Sequence, residues 1–203
     1  MIYVMDLVGV AVFAVTGAIA AGRKQMDGFG VVVLAVVTGI GGGTLRDVLL
    51  GVRPIFWVAD QTYILVAVAA GLLTMLTARL WISFEKGLAV ADAFGLSLFA
   101  VIGTQHAMDA GAPGVVAVLM GVITGVAGGV IRDMLANEMP FVLRGELYAT
   151  AAAAGSVLLL VFPKTGVGEV LGPALALVLC LAIRLAAIRW HIQLPIFRLM
   201  RRP

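Results

Sequence analysis

The sequence predicts an all-α membrane protein: seven transmembrane helices, arranged as two inverted three-helix repeats plus a seventh helix. Three observations carry that reading. First, 62% of the 203 residues are hydrophobic and only 12% are charged, with a mean hydropathy of +1.12, whereas soluble domains carry about 25% charged residues. Second, long apolar runs follow one another with short polar breaks. Each is near the roughly 20 residues a spanning helix needs, and none shows the ten-residue alternation of a membrane β-barrel. Third, the chain repeats itself. With a shift of 86, 19 of the 51 positions between Val4 and Pro54 are identical to their partners, and the charges, glycines and proline align together. Three spans per copy is an odd number, so the second copy enters the bilayer upside down, as in many transport folds.

Span 1 is expected over about Ile2 to Gly22, closed by Arg23 and Lys24. It lacks a basic leader and carries Asp6, so it reads as a span rather than a secretory signal. Span 2 covers about Gly28 to Leu50 and ends before Arg53-Pro54, because proline disfavours helix in the residue before it. Span 3 is expected over Asp60 to Leu80, before Trp81, Glu85 and Lys86. Span 4 runs about Leu88 to Met108, span 5 about Gly114 to Ala136 with Pro140 beyond, and span 6 about Glu146 to Phe162, ended by Pro163-Lys164. Span 7, outside the duplication, runs about Val167 to Ile188. The organisation is thus 1–86 for the first repeat, 87–166 for the second, 167–190 for the seventh helix and 191–203 for a basic cytoplasmic tail with Arg198, Arg201 and Arg202.

The net charge is +3. The basic residues fall at span ends and in the tail, which points to membrane orientation rather than to nucleic acid. With the N-terminus outside, the inner side holds Arg23, Lys24, Arg79, Lys86, Arg144 and the tail, and the outer side only Arg53 and Lys164, with Arg46 near an outer span end. Positive-inside therefore gives a multi-pass protein of the cell (inner) membrane with the N-terminus out and the C-terminus in. Trp57, Trp81 and Trp190 fall near span ends, as an aromatic belt does. Cys180, within an apolar run, reads as a packed or lipid-facing small residue.

Two stretches carry the functional signal: Thr38-Gly39-Ile40-Gly41-Gly42-Gly43-Thr44-Leu45-Arg46-Asp47 and its copy Thr124-Gly125-Val126-Ala127-Gly128-Gly129-Val130-Ile131-Arg132-Asp133. Each glycine weakens a helix by roughly 1 kcal/mol relative to alanine. An ion in the bilayer is costly unless paired, and intramembrane ions usually mark a solute path. The glycines either unwind the helix and expose carbonyls to a cation, which is tolerated only where water or protein covers the backbone, or let another helix approach closely. Thr38 and Thr124 read as path lining, although a threonine can also bond its own preceding turn; Thr16 and Thr104 supply further hydroxyls.

By depth, Asp6 and Arg46 each lie roughly 10 Å from their span midpoints on the same side. Asp6–Arg46 and, by the repeat, Asp92–Arg132 are therefore expected to pair. Arg46 and Asp47 are about 100° apart on a helix and are not expected to face each other. His106 ends span 4 with no second metal ligand in sequence, and His191 carries no motif. No metal site, cofactor motif or catalytic constellation is present: Gly39-x-Gly41-x-x-Thr44 lacks the third glycine of a dinucleotide fingerprint, and there is no Walker lysine, HExxH or GxSxG.

Two three-span units, each with a glycine-rich second span ending in Gly-Gly-x-x-Arg-Asp, plus a lone seventh span, resemble the trimeric intracellular cation channel (TRIC) family, whose prokaryotic members also carry a glycine-transporter label. The resemblance covers essentially the whole chain and rests on Gly42-Gly43-Thr44-Leu45-Arg46-Asp47 and Gly128-Gly129-Val130-Ile131-Arg132-Asp133. It implies a homotrimer in the lipid bilayer, each protomer with its own pore for potassium or other monovalent cations, lined by Gly39 to Gly43 and Gly125 to Gly129; in such an hourglass path between spans 2 and 5, Asp47 and Asp133 are expected to concentrate cations at the two mouths. Where animal members carry a Lys-Glu-Val lipid motif, this chain reads Leu45-Arg46-Asp47-Val48. The short tail fits a prokaryotic member. The alternative reading is a secondary transporter of a small solute such as glycine, held by half-helix ends.

Overall fold

The computed structural model describes residues 2–77, 84–144, 147–162 and 167–193. Among them are eight α-helices and no run of sheet: α1 Ile2–Arg23, α2 Gly28–Leu50, α3 Phe56–Ala59, α4 Thr62–Thr77, α5 Phe84–Asp109, α6 Gly114–Leu135, α7 Ala149–Val161 and α8 Val167–Trp190, with a single 3-10 turn at Phe141–Leu143. Five helices are long and apolar enough to cross a membrane, and α4 and α7 are shorter apolar helices. The chain is a multi-pass, all-helical membrane protein.

Local chemistry sets the helix ends. Asp27 caps α2, its carboxylate accepting from Gly30 N at 2.7 Å. Gly51 ends the same helix in the left-handed conformation, φ 69°, donating its N–H to the carbonyls of Asp47 and Val48. The span expected from Asp60 instead begins at Thr62, because Asp60 is extended and its carboxylate accepts from Thr62 N at 2.8 Å and from the Tyr3 hydroxyl at 2.8 Å. The residues before it form α3, where sequence reasoning foresaw only a connection. The span expected from Glu146 is helical from Ala149 to Val161, and α5 begins at Phe84, ahead of the expected Leu88. Leu80, Arg79, Trp81, Glu146, Pro163, Lys164 and the tail arginines Arg198, Arg201 and Arg202 lie outside the described residues.

The core lies where α1, α2, α5 and α6 meet, with α4 against α1 and α2, and α7 and α8 against α5. At its centre Phe13 of α1 and Phe99 of α5, partners under the 86-residue shift, stack tilted with ring centroids 5.3 Å apart. Each ring fills space left by a glycine of the other helix, Phe13 against Gly95 and Phe99 against Gly9. Cys180 is fully buried on α8, so it is a packed residue rather than a lipid-facing one.

Candidate functional site

The glycine stretches do not unwind. α2 is helical without a break from Gly28 to Leu50, and α6 from Gly114 to Leu135. Of the two uses open to those glycines, the structure takes close approach. A Cβ on Gly128 would lie 2.5 Å from the Thr38 carbonyl oxygen of α2, and one on Gly42 would run into the Thr124 carbonyl of α6. The two contacts are reciprocal, so helix meets helix backbone to backbone. Gly39 and Gly125 repeat the arrangement one turn away, against the carbonyls of Val10 on α1 and Leu96 on α5. Gly41 sits in the same seam, against the Ile131 side chain. Thr38 and Thr124 are fully buried and turn their hydroxyls inward, donating to Leu34 O and Met120 O, both at 2.6 Å. They bond their own preceding turns, with Thr38 Oγ1 turned toward Gly17 of α1 and Thr124 Oγ1 toward Gly103 of α5.

Gly43 and Gly129 do something different. A Cβ on Gly43 would strike the Phe56 ring at 2.7 Å, and one on Gly129 would crowd the Tyr148 hydroxyl at 3.0 Å and Asp92 at 3.3 Å. They clear room for two buried polar clusters, one at each end of the seam. α1 begins at the end where α2 finishes, and α6 finishes at the end where α1 does, so the clusters lie at opposite ends of the bundle.

The first cluster holds Asp6, Arg46, Asp47, Phe56 and Tyr63. Arg46 donates through Nε and Nη2 to Asp47 Oδ1, both at 2.8 Å. Asp47 Oδ2 accepts from Phe56 N at 2.9 Å, and the Phe56 ring lies 5.5 Å from the guanidinium. The Tyr63 hydroxyl reaches Asp6 at 3.4 Å. The second cluster is built alike. Arg132 Nε donates to Asp133 Oδ1 at 2.8 Å, Asp133 Oδ2 accepts from Phe141 N at 3.0 Å, and the Phe141 ring lies 5.2 Å from the guanidinium. Arg132 Nη1 also donates to Asp92 Oδ1 at 2.7 Å and to Thr16 Oγ1 of α1 at 2.9 Å.

Two expectations are corrected here. The adjacent arginine and aspartate do face each other. Divergence of Cβ directions limits short side chains, but a guanidinium on a long stem swings past it, and the phenylalanine ring beside it holds it there. Asp47 and Asp133, moreover, are not open mouth charges. They are 2% and 4% exposed, and each spends one oxygen on its arginine and the other on a backbone N–H. They tether Phe56 of α3 and Phe141 of the 3-10 turn as lids over the two ends of the seam. Of the two expected aspartate–arginine pairs, Asp92 meets Arg132 directly. Asp6 lies within electrostatic reach of Arg46 but forms no ion pair with it.

Several site residues escaped sequence reasoning. Past Pro54 and Pro140 the repeat slips by one, and a shift of 85 lays Phe56 on Phe141 and Tyr63 on Tyr148; that slip was the signal. Trp57, read as belt, donates Nε1–H to Thr44 Oγ1 at 2.9 Å and so pins α3 to α2, whereas Trp190 is exposed as a belt residue should be. Arg184 of α8 is fully buried, with its guanidinium 4.7 Å from the Tyr148 ring centroid. A charge inside the apolar run Leu181 to Ile188 was its signal. His106 is half-buried and faces the charges of Arg46 and Asp47 from α5. At the end where α1 finishes, Glu138 gathers Lys24 at 3.2 Å, Arg144 at 3.1 Å and Arg23 at 3.7 Å. Partial burial alone would raise its carboxyl, but hydrogen bonds from Lys24 and Arg144 and the Arg23 charge outweigh this and hold it below the usual glutamate range. No group of three metal-ligating side chains occurs among the described residues.

Comparison with known proteins gives the same picture from outside. A family model described as "Glycine transporter" matches residues 3–79 and 89–164, one segment in each repeat. The chain is 47% identical over 201 residues to the inner membrane protein YadS of Escherichia coli, covering 98% of this chain and 97% of that one. Among solved structures it is similar to the TRIC trimeric intracellular cation channel orthologue from Rhodobacter sphaeroides, 39% identical with a TM-score of 0.91, covering 94% of this chain and 98% of that one. It is also similar to a structure described for conductance through TRIC cation channels, 35% identical with a TM-score of 0.87, covering 98% of each chain.

Proposed function

Because the chain belongs to the trimeric intracellular cation channel family, in its prokaryotic form, we propose that it is a potassium-conducting cation channel whose path runs along the α2–α6 seam. The observation that carries this is the seam itself. It is closed by glycines lying on the opposing carbonyls of Thr38 and Thr124, with the Ile131 side chain and the Phe13 ring packed beside them. A small separation uncovers those carbonyls, the kind of oxygen that replaces an ion's hydration shell in filters. Gly41, Gly42 and Gly128 line this path, and Gly39 and Gly125 flank it where α2 packs on α1 and α6 on α5. Gly43 and Gly129 seat the lids at its ends, and Arg46–Asp47 and Arg132–Asp133 hold the lids shut.

The chain crosses the bilayer seven times in two inverted halves, with the N-terminus outside and the C-terminus inside the cell membrane. Three copies assemble, each with its own path. Support comes from the likeness to solved cation channels over nearly the whole chain and from the Arg23, Lys24 and Arg144 cluster at one end. A carrier of glycine is the second reading, favoured only by the description of the matching family model.

Purified protein in a planar bilayer with potassium as the only permeant cation tests the proposal. Unitary current steps are the expected result. Saturable uptake of glycine into vesicles, with no unitary current, would overturn it in favour of the carrier.

A further inference from the structure

The sequence repeat supplies its own control. In the second cluster Arg132 bridges two carboxylates, Asp133 through Nε and Asp92 through Nη1 at 2.7 Å. In the first, Arg46 spends Nε and Nη2 on Asp47 alone, and its buried Nη1 has no acceptor. Asp6, which matches Asp92, is 4% exposed and receives a single long hydrogen bond from the Tyr63 hydroxyl. Both clusters leave a guanidinium nitrogen unpartnered, Arg46 Nη1 and Arg132 Nη2, but only the second has its arginine bridging both carboxylates, whereas in the first Asp6 is joined to Tyr63 alone.

The charges differ in the same sense. α8 brings a second cation, Arg184, against Tyr148 of the second cluster, which then holds two carboxylates and two guanidiniums. The first holds two carboxylates and one guanidinium. Facing Asp6 are Arg46 and Asp47 from α2 and Tyr63 from α4; Tyr63 in turn meets Tyr3, whose hydroxyl donates to Asp60. His106 of α5 faces the same Arg46 and Asp47, and the charged residues of α6, Arg132 and Asp133, are at the other end. A carboxylate removed from water without a cation is costly, and the cheapest remedy is to bind a proton.

We propose that Asp6 is a proton-binding site: it is neutral in the arrangement seen here, and its ionisation draws Arg46 into the bridge that Arg132 already makes to Asp92. The step is simple. The Asp6 O–H bond breaks and the proton passes to water at the end of the bundle where α1 begins. The carboxylate so formed accepts an N–H bond from Arg46 Nη1, while Nε stays on Asp47. The second cluster, already bridged and supplied with Arg184, stays as it is. The effect on current rests on the channel reading; the protonation does not.

The test is infrared pH titration of the purified protein in lipid vesicles, wild type against Asp6→Asn, with His106→Gln as a control. The expected result is a protonated-carboxyl carbonyl band that vanishes as pH rises, is missing from Asp6→Asn, and persists in His106→Gln. A band unchanged in Asp6→Asn, or no titrating band in the wild type, overturns the proposal. Asn copies the neutral side chain, so failure of Asp6→Asn to fold also counts against it. In the planar bilayer, the pH dependence of wild-type current should be lost in Asp6→Asn. A protein that passes no current but shows the Asp6 band would remove the channel reading and leave the proton site standing.

Discussion

Gly128→Ala puts a single methyl group into the α2–α6 seam. That Cβ would lie 2.5 Å from the Thr38 carbonyl oxygen, where ordinary contact begins at 3.4 Å. The helices must therefore part by about 0.9 Å, the difference between those distances. The obstacle is backbone inside a continuous helix, so no rotamer change can relieve it. Overpacking of this kind costs about 1–3 kcal/mol, and alanine returns about 1 kcal/mol of helix propensity, leaving a net loss of up to about 2 kcal/mol. Gly22→Ala is the control, because its Cβ would meet nothing within 4 Å and only the propensity gain remains. Thermal unfolding of the three proteins in one detergent reads the stability. Single-channel recording reads the second consequence: a seam wedged apart should stay open longer in Gly128→Ala, while Gly22→Ala behaves as wild type. If Gly128→Ala melts at or above Gly22→Ala, the helices are not in the contact described here, and the seam fails as the closed gate.

Three further outcomes follow from the same geometry. Asp92→Asn takes from Arg132 one of its two carboxylates and should cost about 3–5 kcal/mol, the usual penalty for breaking a buried pair; Asp6→Asn should cost far less, and equal losses in thermal unfolding would contradict the asymmetry of the clusters. The Glu138 carboxyl is held below its ordinary value, so its stabilisation is complete above the unfolded glutamate range and lost as pH falls through the lower folded value. It amounts to at most about 1 kcal/mol and should shrink in high salt, which a comparison of Glu138→Gln with wild type across pH and ionic strength measures. Gly51→Ala forces an L side chain to φ 69° and should destabilise by about 1–2 kcal/mol, detectable as a lower melting temperature.

Much of this architecture is legible in the sequence. Hydropathy and proline placement give α1, α2, α6 and α8 to within two residues, because span length and the missing proline donor are physical limits rather than tendencies, whereas α5 begins four residues ahead of the expected Leu88. The depth argument finds Asp92–Arg132, since a buried guanidinium seeks carboxylates at its own level. Two things are not legible. Whether glycines unwind a helix or admit a neighbour depends on what stands opposite, and only the fold shows that Thr38 and Thr124 present their carbonyls to Gly128 and Gly42. Connections, too, are hard to weigh: Phe56–Ala59 is four residues long, too short for periodicity to register, yet it supplies the lid.

The near-identity of the two clusters makes their differences meaningful. Each has an arginine fastened to the aspartate that follows it, and a phenylalanine N–H on that aspartate's free oxygen. This core is the structural constant, and it explains why the Arg-Asp pair occurs twice. Around it the ends diverge. Thr16 crosses from α1 to Arg132, and α8 contributes Arg184. The residue matching Thr16 is Ile102, which cannot donate or accept. Glu138, with Lys24 and Arg144, ties the α6–α7 connection to the end of α1, whereas its match, Val52, carries no charge. These charged ties gather at the end where α1 finishes, whereas at the other end a neutral one, Trp57 Nε1–H on Thr44 Oγ1, pins α3 and has no counterpart at the matching Val142 and Val130. The two ends therefore differ in kind, with charged ties added at one and a neutral tie at the other around the same arginine–aspartate core.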